Sequence, residues 1–397
     1  MSSNIAIQEL GELANHISSG STPLGGRSVY LDEGPVMLIR SQNVRMNHLL
    51  LDDVAFVSDE IDSSMQRSRL EPQDVLLNIT GASIGRVARF SSRSQRANVN
   101  QHVCIIRTKH DRLAPRYLEY FLSSPLVQNE IHNELQRGGT RQALTFKQIS
   151  EFKIPLPSLV EQERIADILE RANEVRRKRQ QATAFTEQFL RSAFLDMFGN
   201  PVTNPKGWPV KKMEELASVD RGKFTPRPRN DPRYYGGDFP FIQTGDLAKC
   251  DGVLRTWTQT LNDEGVKVSR EFPAGTVAIS IAANIGDTAI LGFDSYATDS
   301  VVGIQVDGLM ATAEYIEYWF RFQQELLKQR APETAQKNIN LQVLRPLPVP
   351  IPKLALQEEF ALQYRGFEAR RMRFNEAASK LDDLFNSLVQ RAFKGKL

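Results

Sequence analysis

No stretch of about 18 apolar residues occurs in this 397-residue chain, so no helix able to cross a bilayer is expected. Cysteine is nearly absent. Cys104 and Cys250 are the two present, in unlike surroundings, which excludes a disulfide framework and a thiolate zinc site. The histidines (His16, His48, His102, His110 and His132) all fall in the first half, and none has the His-x-x-x-His spacing of a metal-binding helix. Neither Gly-x-Gly-x-x-Gly nor a phosphate loop ending in Gly-Lys-Ser/Thr is present, so no dinucleotide or nucleoside triphosphate site is expected. The start, Met1-Ser2-Ser3-Asn4, lacks a basic region followed by an apolar one, so no signal peptide is expected. A net charge of +3 decides little, because a nucleic acid senses a local basic face rather than the total.

What is present is a duplication. Ile154-Pro155-Leu156-Pro157 returns as Val349-Pro350-Ile351-Pro352, and Gln162-Glu163 returns as Gln357-Glu358. Both copies close on Ala-Phe, at Ala193-Phe194 and Ala392-Phe393. Upstream, Glu12-Leu13-Ala14 matches Glu215-Leu216-Ala217, Ile39 matches Ile242, and Ile84-Gly85 matches Ile285-Gly286. A period of about 200 residues is too long for a solenoid. It reads as a globular module followed by a long helix, used twice. With 41% hydrophobic residues, the chain can fill two cores of ordinary domain size.

Short β-rich runs bounded by turn formers predict strands at Val36–Ile39, Val75–Ile79 and Val103–Ile106, and again at Val277–Ile281 and Val301–Val306. One helix is expected from Pro115 to about Gln136, and its counterpart from Glu314 to Gln329, each with an aromatic-rich apolar face. Ser158 and Glu161 form a Ser-x-x-Glu capping box, and no Gly or Pro follows until Gly199. Ile165, Ile168, Ala172, Val175, Ala182 and Phe189 recur at three- and four-residue steps or their sum, a coiled-coil-like seam. The second helix keeps the same rhythm through Phe360, Tyr364, Phe367, Phe374, Ala378, Leu381, Phe385, Leu388 and Ala392. Arg179 and Arg371 interrupt the seams. Each is expected to lay its stem along the apolar face and lift its head into water, the alternative being a register-setting pair. Matching the two Ala-Phe closures makes the second helix longer by one turn. The fold class expected is α+β: two similar mixed α/β domains separated by two long antiparallel coiled-coil helices, an internal pseudo-two-fold repeat. The turn-rich Gly199–Gly207 segment is the central linker.

Arginine clusters suggest binding rather than catalysis. Arg86, Arg89, Arg93, Arg96 and Arg107 crowd the first domain, and Arg221, Lys223, Arg227, Arg229 and Arg233 crowd a loop of the second. Gly-containing polar loops lie between them, at Thr80-Gly81-Ala82-Ser83, Arg137-Gly138-Gly139-Thr140-Arg141 and Gln243-Thr244-Gly245-Asp246. Arg, Lys and backbone amides hold phosphates, while Arg, Asn and Gln read base edges. Any one of these arginines is as readily a solvated surface residue. Asp231-Pro232-Arg233-Tyr234 looks like the Asp-Pro-Pro-Tyr of adenine methyltransferases. Arg233 replaces its second proline and no cofactor loop accompanies it, so it reads as a loop in a Pro- and Arg-rich stretch.

The order of these motifs resembles the specificity subunit of type I restriction–modification systems. The resemblance is carried by Ile154-Pro155-Leu156-Pro157 with Glu161-Gln162-Glu163-Arg164-Ile165, by Phe194-Leu195-Asp196-Met197-Phe198-Gly199-Asn200-Pro201, by Asn204-Pro205-Lys206-Gly207-Trp208, and by the repeat at Pro350 to Glu358. Ile39-Arg40-Ser41-Gln42-Asn43-Val44 and Gly81-Ala82-Ser83-Ile84-Gly85 add to it. The resemblance implies a target recognition domain at residues 1–157, a central conserved helix at 158–199, a second recognition domain at 200–352 and a C-terminal conserved helix at 353–397. Each domain would read one half of a split, asymmetric site in double-stranded DNA.

The helices would set the gap and dock two modification (methyltransferase) subunits, through Ile165, Ile168, Phe189, Phe367, Phe374 and Leu381. DNA contacts are expected at Arg40, Ser41, Thr80, Ser83, Arg86, Arg137, Thr140 and Arg141 in the first domain. In the second they are expected at Arg221, Lys223, Arg227, Arg229, Thr244, Asn284 and Lys337. No catalytic residue, metal or cofactor is expected in this chain. S-adenosylmethionine would sit on the modification subunits, ATP and magnesium on restriction (motor) subunits, and the complex would be cytoplasmic. Two readings compete. A stand-alone methyltransferase or nuclease lacks its motifs here, and a coiled-coil scaffold without DNA readout leaves the basic loops unexplained.

Overall fold

Each Pro-x-Pro motif begins within a short strand. In the computed structural model, which describes residues 5–137, 143–330, 338–393 and 395, Lys153–Leu156 pairs antiparallel with Ala6–Glu9. Pro348–Pro350 pairs the same way with Val210–Lys212. Proline donates no ladder hydrogen bond and so belongs at sheet edges, and each of these sheets has two strands.

The chain divides into two compact units, residues 1–180 with 377–397, and residues 181–376. Each unit takes part of both long helices, so neither ends where a helix begins. In the first unit an antiparallel sheet runs Ala14–Ser19, Val103–Thr108, Val75–Asn78, Val87–Arg89. In the second the matching order is Ala217–Arg221, Val301–Val306, Val277–Ser280, Thr288–Leu291, with Gly252–Leu254 added at the edge. A smaller sheet also recurs. Ala55–Val57, Val36–Ile39 and Arg96–Val99 correspond to Gln259–Leu261, Tyr235–Ile242 and Ser295–Ala297, and in both the second and third strands are parallel. Runs such as Val36–Ile39 and Val75–Asn78 are buried at every position, because both faces of these strands are covered. That explains why they read as continuous apolar runs rather than alternating ones.

The expected helix from Pro115 to about Gln136 is two helices, Pro115–Leu122 and Pro125–Arg137. Pro125 has no N–H to give and disfavours helical backbone in Ser124 before it. Its counterpart, Ala313–Arg330, contains no proline and is continuous.

The long helices are Leu159–Phe198 and Leu354–Phe393, each 40 residues. The one-turn difference inferred from the Ala-Phe closures is therefore corrected: Phe198, not Phe194, is the counterpart of Phe393. Phe198 packs edge-on against Tyr315 at 5.0 Å, and Phe393 against Tyr117 at 5.2 Å. Phe194 lies one turn earlier on the same face and is also buried, which is how a two-residue match could slip by a turn. In the second unit the helices run antiparallel, since Phe189 meets Phe367 at 5.2 Å and Phe194 meets Phe360 at 5.3 Å.

The recurring residues lock each long helix to its own domain. The Tyr117 hydroxyl donates to the Pro155 carbonyl at 2.7 Å, and the Tyr315 hydroxyl to the Pro350 carbonyl at 2.6 Å. Gln162 and Gln357 are fully buried. Gln162 accepts from the Ala114 N–H at 2.9 Å and donates to the carbonyls of Arg112 and Pro157. Gln357 accepts from the Thr312 N–H at 3.1 Å and donates to the Pro352 carbonyl. Each amide thus satisfies groups at the start of a domain helix: the first has no side-chain cap of its own, and the second is capped as well by the Thr312 hydroxyl, which accepts from the Tyr315 N–H at 3.2 Å. Gln162→Ala leaves such groups buried and unpaired, at a cost of about 1–3 kcal/mol. The expected result is a lower denaturant midpoint by circular dichroism; an unchanged midpoint would contradict the role.

Arg371 does not lift its head into water. Its side chain is 16% exposed, with Asp251 at 2.6 Å and Glu368 at 2.8 Å. The carboxylate of Asp251, brought from the domain, makes burial of the guanidinium tolerable. Arg179 is exposed.

Candidate nucleic-acid interface

Two connections per domain carry the polar residues, and each is built the same way twice. The strand Val36–Ile39 ends at Arg40, whose N–H donates to the Asn43 side chain at 3.0 Å. Asn43 is fully buried and donates onward to the Leu50 carbonyl and the Asp53 carboxylate. In the second unit the Gln243 N–H donates to Asp246 at 2.8 Å, and Asp246 accepts from the Thr258 hydroxyl at 2.9 Å. Arg40 and Gln243 therefore occupy one structural position. The Arg40 guanidinium donates to the Asp53 carbonyl at 2.9 Å and lies 5.6 Å over the Tyr30 ring.

The glycine loops are the second connection. The Gly85 N–H closes on the Asn78 carbonyl and the Gly286 N–H on the Ser280 carbonyl, both at 2.9 Å. Both glycines have φ near 85°, the left-handed region that glycine enters freely. The second loop is one residue shorter, and Ala283 takes the left-handed position that Gly81 holds in the first, with φ of 61° and 72°. Ser83 and Asn284 stand before the shared Ile-Gly pair. The Asn78 side chain donates to the Ser41 carbonyl at 2.8 Å, which ties the two connections of the first domain together. Thr80 is half-buried and hydrogen-bonded to the His102 ring; Ser83 and Arg86 are half-buried.

The crowd of arginines in the first domain is not a free basic face. Arg107 pairs with Asp74 at 2.8 Å and Glu71 at 2.6 Å, Arg89 with Glu119 at 3.4 Å, and Arg96 with Asp59 and Asp62. Sequence proximity showed the cations but not the carboxylates that meet them. Arg86 and Arg93 have no ion-pair partner among the described residues. Burial pushes the Glu119 carboxyl up to about 7 despite Arg89. A raised carboxyl favours folding at low pH, and that stability is lost as pH rises from about 4.5 to about 7. Glu119→Gln is expected to flatten this part of the stability–pH curve; an unchanged curve would remove Glu119 as its source.

In the second domain Arg221, Arg227 and Arg229 come together at one residue, Asp299. Arg233 instead folds back on Asp231 at 2.6 Å and holds that carboxyl below its usual range, and Asp231 caps the short helical turn Pro232–Tyr234. Beside Asp299 lies a cleft of about 450 Å³, walled by Phe224, Tyr235 and Phe241 and fringed by Arg229, Gln243 and Gln259. Thr244 lines it too. The Gln243 and Gln259 side chains are hydrogen-bonded to each other. Lys223 is exposed. Asn284 is exposed and borders a separate cavity with Asp287 and Lys328. The side chain of Arg137, and Thr140, Arg141 and Lys337, lie outside the described residues.

Sequence reasoning passed over Gln259 and Asp299. Gln243 was signalled by the polar loop Gln243-Thr244-Gly245-Asp246, and its match to Arg40 follows once Ile39 is set on Ile242. Both cysteines are pushed up to about 12 by burial, so neither is a reactive thiolate. Among the described residues no group of acidic, His or Cys side chains could hold a metal ion, and no helix is long and apolar enough to cross a membrane.

Of the helix positions expected to dock partners, Ile165 is 3% exposed inside the core of the first unit, so its side chain is spent on internal packing. Ile168, Phe367, Phe374 and Leu381 are half-buried, and Phe189 is exposed. Sequence reasoning missed Phe185, Leu362 and Leu384, which are 68%, 69% and 53% exposed.

Residues 6–182 and 205–362 each match the family model of the type I restriction modification DNA specificity domain. The specificity subunit of the type I restriction enzyme EcoBI of Escherichia coli is 29% identical over 130 residues, 33% of this chain and 27% of that protein. The MjaIX specificity subunit of Methanocaldococcus jannaschii is 26% identical over 196 residues, 48% of this chain and 44% of that protein. The matched stretches thus span less than half the length of these two relatives. The crystal structure of the type I restriction–modification S subunit from M. genitalium superposes with a TM-score of 0.62 at 14% identity, covering 99% of this chain and 97% of that one. A chain from a study of assembly of the type I restriction–modification system gives 0.52 at 19% identity, covering 99% and 98%. At such identities the likeness is one of fold.

Proposed function

The chain belongs to the type I restriction modification DNA specificity family, and on that premise we propose that each of its two domains reads one half of a split DNA site. One observation carries this reading: the same scaffold is built twice with different chemistry at equivalent positions. Where the first domain presents a guanidinium, Arg40, the second presents an amide, Gln243. Arginine pairs with the guanine edge and glutamine with the adenine edge, so two copies of one frame suit two unlike half-sites. Arg227 and Arg229 contact phosphates, which position the domain without reading sequence. The long helices set the gap between half-sites, and their exposed apolar residues dock two modification subunits. S-adenosylmethionine, ATP and magnesium belong to partner subunits, and the complex works in the cytoplasm.

The test is methylation-sensitive long-read sequencing of DNA from cells expressing this chain with its neighbouring methyltransferase subunit. Adenine methylation at one split motif with a fixed gap is expected. No new methylation from an assembled complex would overturn the reading. Replacing Arg227 and Arg229 together by alanine is expected to weaken binding of any duplex and to flatten the salt dependence by about 2 in log–log slope, roughly one phosphate each. An unchanged slope would return both to ordinary surface.

A further inference from the structure

Three arginines of the second domain converge on one acid. Arg229 Nη2 lies 2.7 and 2.9 Å from the two carboxylate oxygens of Asp299, and Arg227 Nη2 lies 3.5 Å from one of them. Arg221 donates to the main-chain carbonyl of the same residue. Arg227 is held further by the carbonyls of Phe224 at 3.0 Å and Pro226 at 2.8 Å. The Arg227 and Arg229 side chains are 55% and 50% exposed, that of Asp299 27%.

Exposed pairs of this kind contribute little to folding, yet three cations are gathered here where like charges would otherwise spread apart. A carboxylate offers an arginine fork the same paired oxygens as a phosphate. Asp299 sits in the short connection between the strands Ser295–Ala297 and Val301–Val306, at the margin of the cleft that Gln243 and Gln259 fringe.

We propose that Asp299 is a positioning residue for DNA recognition: it holds Arg227 and Arg229 where backbone phosphates dock, and it tempers their charge until a phosphate replaces it. The proposal rests on the DNA reading given above. Its consequence is selectivity. Positive charge strengthens binding to every duplex alike, whereas correct placement of a phosphate contact helps only the cognate register. Removing the acid therefore favours the wrong DNA.

The experiment uses the whole complex with its modification subunits. Fluorescence anisotropy is measured over a range of salt, on the duplex identified by methylation mapping and on a scrambled duplex. Asp299→Asn is expected to tighten binding of the scrambled duplex roughly three- to tenfold and to steepen its salt slope by about 1, the weight of one added phosphate contact. The cognate-to-scrambled ratio falls. Asp299→Glu keeps the charge and should keep the wild-type slope. In a chain already carrying Arg227→Ala and Arg229→Ala, Asp299→Asn should change neither slope nor ratio. Equal weakening on both duplexes with an unchanged slope would mark a structural role and overturn the proposal. So would an effect that persists without the two arginines. A wild-type complex that shows no preference for the mapped duplex overturns the DNA reading itself, and the proposal with it.

Discussion

Replacing Arg321 by methionine is expected to destabilise the second unit by about 3–5 kcal/mol, the cost of leaving a buried charge without its partner. Glu317 is fully buried. Its carboxylate receives Arg321 Nε at 2.8 Å, the Thr288 hydroxyl at 3.1 Å and the Tyr364 hydroxyl at 3.1 Å. Without the guanidinium, two neutral donors remain. Domains of this kind have about 5–15 kcal/mol in all, so the loss is a large share. The three tryptophans, Trp208, Trp257 and Trp319, all lie in the second unit, so intrinsic fluorescence during denaturant unfolding reports on that unit.

The pH dependence has a defined sign. Burial raises the Glu317 carboxyl above its ordinary value of 4.5, so the native state takes up a proton more readily than the unfolded one. Stability from this group is present at low pH and is lost as pH rises through the folded value. Removing Arg321 raises the carboxyl further, so the deficit should be larger at about pH 8 than at about pH 5. Replacing Glu317, Arg321 and Tyr364 together by leucine, methionine and phenylalanine should recover much of the loss, as apolar substitutes for buried ion pairs often do. A single variant as stable as the parent at the higher pH would refute this account.

Exchanging residues 201–352 for the corresponding segment of another family member is expected to change one half of the methylated motif completely and leave the other half untouched. The structure states what the exchanged segment must bring. A tyrosine at the position of Tyr315 must receive the ring of Phe198. A backbone N–H at the position of Thr312 must meet Gln357. These groups belong to the retained helices on one side and the exchanged domain on the other, all within the second unit. Long-read methylation mapping of cells carrying the exchanged chain gives the result directly. A change in both half-sites would refute independent reading by the two domains.

The duplication, the strands and the two long helices were legible because they rest on local pattern. Apolar runs such as Val36–Ile39 and Val301–Val306, the helical rhythm from Ile165 to Phe189, and the returning Pro-x-Pro and Gln-Glu elements need no partner to be recognised. Local pattern failed where two signals competed or repeated. Pro125 broke a helix whose apolar face continued across it, and the turn periodicity let Phe194 stand in for Phe198. The interface was less legible still. Arg89, Arg96 and Arg107 read as a basic cluster until Glu119, Asp59, Asp62, Asp74 and Glu71 were found against them. Arg371 read as a solvated interruption until Asp251 was placed beside it, more than a hundred residues away in the chain.

What the sequence by itself determined is the architecture: one module written twice, each copy a domain followed by a long helix. Backbone preference and apolar periodicity act over a few residues, and a chain displays them in order. What only the tertiary structure decided is which charges remain available. Electrostatic pairing depends on distance in space, and Asp299 lies about 70 residues from the arginines it gathers, a separation that only folding removes.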